Sequence, residues 1–176
     1  PGNMYFTTTR LHQELAGGNF KDIIVDEAHD PFNEFPFKGN IDTHKLKNLI
    51  IEYGEKNVSA VIMTVTNNSS GGQPVSMSNV KEVREICDDH NLMLVIDGCR
   101  IAENSYFIKH REPGYEDKSY EDIAKEMLRL ADAFVMSAKK DGLVNMGGLL
   151  TLKDDELSRQ CTNLLIISEG FATYGG

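Results

Sequence analysis

The sequence predicts an α/β fold built on a mainly parallel sheet flanked by helices. Short runs of Val, Ile and other apolar residues recur along the chain, and the segments between them carry apolar residues at helical spacing. Size agrees, since 176 residues with 40% hydrophobic content close one sizeable core. Taken in order, Phe20 to Val25 reads as the first strand. Asp42-Thr43 then caps a helix whose Leu46, Leu49, Ile50 and Tyr53 recur at helical spacing until Gly54 stops it. Val58 to Thr66 is β-branched and almost continuously apolar, the pattern of a parallel strand covered on both faces. Gly71-Gly72-Gln73-Pro74 breaks the chain, and Ser78 caps a helix presenting Val80, Val83, Ile86 and Cys87. Leu92 to Ile96 is the next strand. Ser119 and Asp122 form a capping box ahead of Ile123, Met127 and Leu130, and Ala131 to Met136 returns as a strand. This alternation implies right-handed crossovers, with ligands beyond the carboxyl ends of the strands.

Charge and cysteine usage narrow the function classes. The 27 carboxylates outnumber the 18 Lys and Arg, and a formal charge of -9 repels a phosphate backbone, which argues against nucleic acid as a general partner. Cys87, Cys99 and Cys161 have no tight spacing, so neither a disulfide framework nor a Cys-x-x-Cys metal site is indicated. A reducing cytoplasm fits best. No stretch reaches the apolar length of a membrane span, and Pro1 to Phe6 lacks a signal-peptide pattern. No repeat or linker divides residues 1–176, which read as one unit, and the Pro-Gly-Asn opening and Thr-Tyr-Gly-Gly close suggest a piece of a longer chain. The cluster Asp26-Glu27-Ala28-His29-Asp30 has no Gly-Lys-Ser loop before it and reads as a solvated loop. A serine hydrolase has no Gly-x-Ser-x-Gly elbow to support it.

The chemistry should lie at the strand ends. Thr66-Asn67-Asn68, Asp97-Gly98-Cys99-Arg100 and Ser137-Ala138-Lys139-Lys140 each follow an apolar run. An Asp at a strand end, an Arg three residues on and a Lys after the next strand suit a cofactor with a basic ring nitrogen, a phenolic oxygen and an aldehyde, as in pyridoxal phosphate. A carboxylate at Asp97 would keep that nitrogen protonated. The lysine bonds to the aldehyde through its neutral amine, and spacing alone does not choose between Lys139 and Lys140. Singly, each feature has an ordinary reading as a cap, a turn or a solvated pair.

The strings Met4-Tyr5-Phe6-Thr7-Thr8-Thr9-Arg10, Phe37-Lys38-Gly39-Asn40, Gly71 to Ser76, Ala102-Glu103-Asn104 and Met136 to Asp141 together resemble the tryptophanase and tyrosine phenol-lyase family, in its order and spacing along the whole chain. The resemblance implies a fold-type-I pyridoxal-phosphate enzyme, with residues 1–176 as the central part of the cofactor-binding large domain. It also implies a homotetramer with sites shared between subunits. By motif, Lys140 would carry the cofactor, Asp97 would pair with the ring nitrogen, Phe6 would stack on the ring, and Ser137 would bind the phosphate with Lys139 nearby. Asn68 and Arg100 would reach the phenolic oxygen or the substrate carboxylate. A monovalent cation, potassium, would take the backbone carbonyl of Asn145 as one ligand.

The implied reaction is β-elimination from an aromatic amino acid, giving pyruvate, ammonia and the free aromatic. Thr7, beside Phe6 at the substrate, resembles the tyrosine phenol-lyase arrangement. Ser137 to Lys140, Met146 to Leu150 and Glu169 to Tyr174 resemble tryptophanase more closely, which favours tryptophan as substrate and keeps tyrosine as the alternative. Gly98-Cys99 departs from the residues expected between Asp97 and Arg100. The family's upstream phosphate loop and downstream small domain are not in this sequence, so a second alternative is an inactive fragment or an assembly domain that turns nothing over.

Overall fold

In the computed structural model, which describes residues 1–170, the later apolar runs become strands β1 (Ala60–Thr64), β2 (Met93–Asp97) and β3 (Ala133–Ser137). A further strand, β4 (Gly148–Leu152), completes a four-stranded sheet in the order β1-β2-β3-β4. The first three are mutually parallel and β4 runs antiparallel to β3, so the sheet is mixed and mainly parallel. Helices α1 (Thr7–Leu15), α2 (Thr43–Tyr53), α3 (Met77–Asp89), α4 (Ile101–Arg111), α5 (Tyr120–Leu130) and α6 (Asp155–Glu169) complete the chain. Val61, Met63, Leu94 and Ile96 of the sheet are fully buried, as are Val80, Val83, Ile108, Ile123 and Met127 of the helices. Among the described residues, no helix is long and apolar enough to cross a membrane.

The helix ends follow local chemistry. The Asp42 carboxylate accepts the amides of His44 and Lys45, and Gly54 ends α2 at φ 78°. Ser119 caps α5, its Oγ accepting the Asp122 amide, but the expected box is only half made, since Asp122 Oδ2 takes the Ser119 hydroxyl where a capping box takes the backbone amide. The cap of α3 is Ser76, not Ser78. Ser76 Oγ takes the Asn79 amide, while the Glu112 carboxylate takes the Met77 and Ser78 amides and leaves Ser78 inside the first turn.

Phe20 to Val25 is a correction to the sequence reading. It forms no strand, only single bridges, Gly2 to Asp22 and Ile24 to Ile41. Its apolar character reports burial: Phe20, Ile23 and Ile24 are core residues. The backbone beside β1 is Gly2, and a Cβ there would stand 2.4 Å from the Ile62 carbonyl oxygen, so only glycine allows the approach. The acidic cluster forms a short 3₁₀ turn, Asp26–His29.

One polar cluster ties three elements together. Lys81 of α3, with Tyr115 and Lys118 from the α4–α5 connection, converges on Glu126 of α5, at 2.7, 2.8 and 2.7 Å respectively. Burial pushes the Glu126 carboxyl up, but the hydrogen bonds from Lys118, Lys81 and Tyr115 outweigh it and hold its pKa at about 2. A depressed carboxylate contributes stability above its ordinary value of 4.5 and loses it as pH falls from there toward 2. Glu126→Gln should therefore flatten the acid limb of the melting profile, by about 1 kcal/mol after discounting for solvent screening. Superimposable wild-type and variant profiles in that window would remove Glu126 as the titrating group.

Candidate active site

Parallel strands present their carboxyl ends on one side, and the chain leaving β1, β2 and β3 is knitted together there. The Val65 amide donates to the Asp97 carbonyl at 2.9 Å, the Arg100 amide to the Val65 carbonyl at 3.2 Å, and the Gly98 amide to the Val135 carbonyl at 2.9 Å. Gly98 lies against the Phe134 ring so closely that a Cβ would come within 2.2 Å of it. That contact accounts for glycine where the sequence departs from the expected pattern.

Phe6 reaches this edge along the outer side of β1. The Ile62 amide donates to the Pro1 carbonyl, and the buried Asn3 side chain continues the pairing, exchanging two hydrogen bonds with the Thr64 backbone and donating to the Gly39 carbonyl. The Tyr5 amide is then held by Asp22 Oδ1, which sets Phe6 at the start of α1. Lys140 Nζ lies 5.9 Å from the centroid of the Phe6 ring. Residues from the two ends of the site thus face each other.

The two candidate lysines differ in exposure: Lys139 is exposed and Lys140 is half-buried, facing Phe6. Asp141 ties their loop down. Its amide donates to the Cys99 carbonyl at 3.3 Å, and its Oδ2 accepts the amides of Ala102 and Glu103 at 2.7 and 3.3 Å. Arg100, the residue preceding α4, offers that helix no side-chain cap, so Asp141 fills the role from the next strand's loop.

Asp97 is only 8% exposed. Its carboxylate takes one hydrogen bond, at Oδ1 from the Cys99 thiol at 3.0 Å, and pairs with no cation among the described residues. Burial first, then the hydrogen bond to Asp97, raises the Cys99 pKa above its ordinary value and keeps the thiol a protonated donor. Nearby, the Thr66 hydroxyl is buried without a hydrogen-bond partner. A buried carboxylate ordinarily sits beside a positive group and a buried hydroxyl ordinarily bonds. A protonated ring nitrogen at Asp97, with a partner for the Thr66 hydroxyl, fits these two groups.

The structure therefore brings together Asp97, Lys140, Phe6 and the end of β3 at Ser137, whose amide donates to Cys99 Sγ at 3.1 Å. Arg100 is half-buried at the start of α4, its Nε 3.8 Å from Glu103 Oε2. Asn68, Thr7, Lys139 and Asn145 are exposed: Asn68 in the turn after β1, Thr7 as the first residue of α1, and Asn145 in the loop leading to β4. Of the string Glu169 to Tyr174, residues 171–174 lie outside the described residues. Cys99, Asp141 and Thr66 were given no role from the sequence. The nearest signals were the departure at Gly98-Cys99 and the place of Asp141 directly after the lysine pair.

A profile of the beta-eliminating lyase family matches residues 1–175. The tyrosine phenol-lyase of Intrasporangium calvum is 51% identical over 176 residues, covering 100% of this chain and 37% of that protein. The tyrosine phenol-lyase of Fusobacterium nucleatum is 52% identical, covering 100% and 38%, and the tryptophanase of Salinibacter ruber is 49% identical, covering 100% and 37%. The chain thus spans 37% or 38% of the length of these relatives. Among solved structures, Leishmania major threonine aldolase aligns with a TM-score of 0.54 at 23% identity, over 72% of this chain and 34% of that one. A glutamate decarboxylase domain from Vibrio parahaemolyticus aligns at 0.59 with 12% identity, over 96% and 35%. At such identities the likeness concerns the fold, which is that of the fold-type-I large domain.

Proposed function

Because this chain belongs to the beta-eliminating lyase family, we infer that it is the central part of the large domain of a pyridoxal-phosphate-dependent lyase that eliminates the side chain of an aromatic amino acid. The observation that carries this reading is the Lys140 amine 5.9 Å from the Phe6 ring centroid, at the same strand ends as a buried Asp97 carboxylate that pairs with no cation among the described residues. When bound, pyridoxal phosphate supplies an aldehyde that takes up an amine and a ring that accepts the electron pair left on the α-carbon. Asp97 holds a proton at the ring nitrogen, since an adjacent negative charge favours the charged form. Phe6 covers one ring face. Lys140 would hold the aldehyde at rest and, once the substrate's amine has displaced it, its freed neutral amine, on a flexible stem, would take the substrate's α-proton. Ser137 and Lys139 serve the phosphate, and Arg100 and Asn68 the phenolic oxygen or the substrate carboxylate. A potassium ion on the Asn145 carbonyl and a homotetramer with shared sites are further parts of the proposal for the whole protein.

Tryptophan is the first reading of the substrate, supported by the strings at Ser137 to Lys140 and Met146 to Leu150. Tyrosine is the second, favoured by Thr7 next to Phe6 and by the names of the Intrasporangium and Fusobacterium relatives. The test is parallel assay of the full-length protein for pyruvate, indole and phenol, compared as kcat/KM. Indole released from tryptophan faster than phenol from tyrosine is the expected result. The reverse order would give the substrate to tyrosine, and pyruvate from neither would overturn the aromatic lyase reading.

A further inference from the structure

Sequence alone marks Cys99 only as a departure, yet among the described residues its sulfur is the one atom that joins the end of β2 to the end of β3 by side-chain bonding. The thiol donates to Asp97 Oδ1 at 3.0 Å and accepts the Ser137 amide at 3.1 Å. The backbone of the same residue takes the Asp141 amide, directly after Lys140. We propose that Cys99 is a positioning residue, which fixes the Asp97 carboxylate by its Oδ1 and presents Oδ2 to the cofactor's ring nitrogen, in register with the lysine loop. The proposal rests on the lyase reading above.

The choice of sulfur has a physical consequence. A carboxylate that must hold a proton on a neighbouring nitrogen needs its own basicity, and every strong donor bound to it lowers that basicity. Backbone amides and hydroxyls are strong donors, while a thiol is a weak one. Cys99 therefore orients Asp97 and leaves its charge nearly undiminished. Half-buried beyond the ends of β2 and β3, the thiol is pushed up from its ordinary pKa by desolvation and by the hydrogen bond to Asp97 and stays protonated, as the donor role requires. Sulfur's size also matters, because one atom here reaches both a carboxylate oxygen and an amide across neighbouring strands.

The test uses full-length protein stripped of cofactor and reloaded with pyridoxal phosphate labelled with ¹⁵N in the ring, for wild type, Cys99→Ala, Cys99→Ser and the control Cys161→Ala. The readouts are pyridoxal phosphate affinity, the ¹⁵N shift that reports ring protonation, and kcat and KM separately. Cys99→Ala should weaken affinity by about fivefold, the worth of one hydrogen bond, and move the ¹⁵N signal toward the unprotonated value. Its kcat should fall with little change in KM. Cys99→Ser should restore most of the affinity while keeping part of the ¹⁵N shift, because its stronger bond draws charge from Asp97. Wild-type affinity and ¹⁵N shift in both Cys99 variants, even with a lowered melting temperature, would make Cys99 a packing residue and overturn the proposal. Wild type that takes up no pyridoxal phosphate would overturn the lyase reading itself, and this inference with it.

Discussion

Lys140→Ala in the full-length protein should abolish covalent cofactor attachment and lower kcat by roughly 10²–10⁴-fold, the contribution of one well-placed proton-transfer group, with larger losses where attachment also matters. Lys139→Ala should keep the attachment and lose mainly affinity, because Lys139 is exposed while Lys140 faces the Phe6 ring. Borohydride reduction of the loaded protein followed by peptide mapping distinguishes the two. A label on Lys139, or on no lysine of the intact protein, would sink the assignment.

Asp97→Ala should separate stability from activity. Removing a buried carboxylate that has one weak donor and no cationic partner among the described residues relieves the folded, cofactor-free protein of a desolvated charge. Its melting temperature should stay level or rise. Catalysis should fall by about 10²-fold or more, since nothing else described here holds the ring proton. Thermal melting without cofactor and turnover with it are measured on the same preparations. A variant that turns over at the wild-type rate would reduce Asp97 to a strand-end residue, and one that melts far lower would show that its carboxylate braces the fold.

The strands that the sequence revealed best are apolar runs with one fully buried face, Val61 and Met63 in β1 and Leu94 and Ile96 in β2, and a half-buried one, while in β3 Phe134 is buried and Val135 is exposed. Phe20 to Val25 misled because apolar content reports burial and not pairing: its neighbours meet it one residue at a time. β4 and α6 escaped notice for the opposite reason. Leu149, Leu150, Leu164 and Ile167 are exposed, so their apolar residues follow no inward-facing period that a pattern could register. At the site, Asp97 and the lysine pair were legible as polar residues ending apolar runs. Which residue of Thr66-Asn67-Asn68 turns inward was not, and the structure buries Thr66 and Asn67 and exposes Asn68. The resemblance singled out Lys140, which of the pair is the half-buried one while Lys139 is exposed. The thiol bridge from Asp97 to Ser137 could not be read at all, because its contact between Cys99 and Ser137 joins residues 38 apart and only the folded sheet creates it.

The capping of α4 by Asp141 carries a consequence for the order of folding. Most helix starts here are satisfied from their own flank, as at Asp42, Ser119 and Asp154, and such turns form as soon as a few residues collapse. The first turn of α4 must wait for a carboxylate 39 residues further along. That turn, and the Asp97 to Arg100 segment that feeds it, is therefore completed only after β3 has docked on β2 and delivered the lysine loop, a contact of long loop closure and slow formation. During synthesis, a nascent chain that has not yet reached Asp141 holds half a site with a frayed helix beneath it. Asp97 is already tied to β1 through Val65, whereas the lysine loop arrives only with β3, so the two arms of the site come into place in separate pairings.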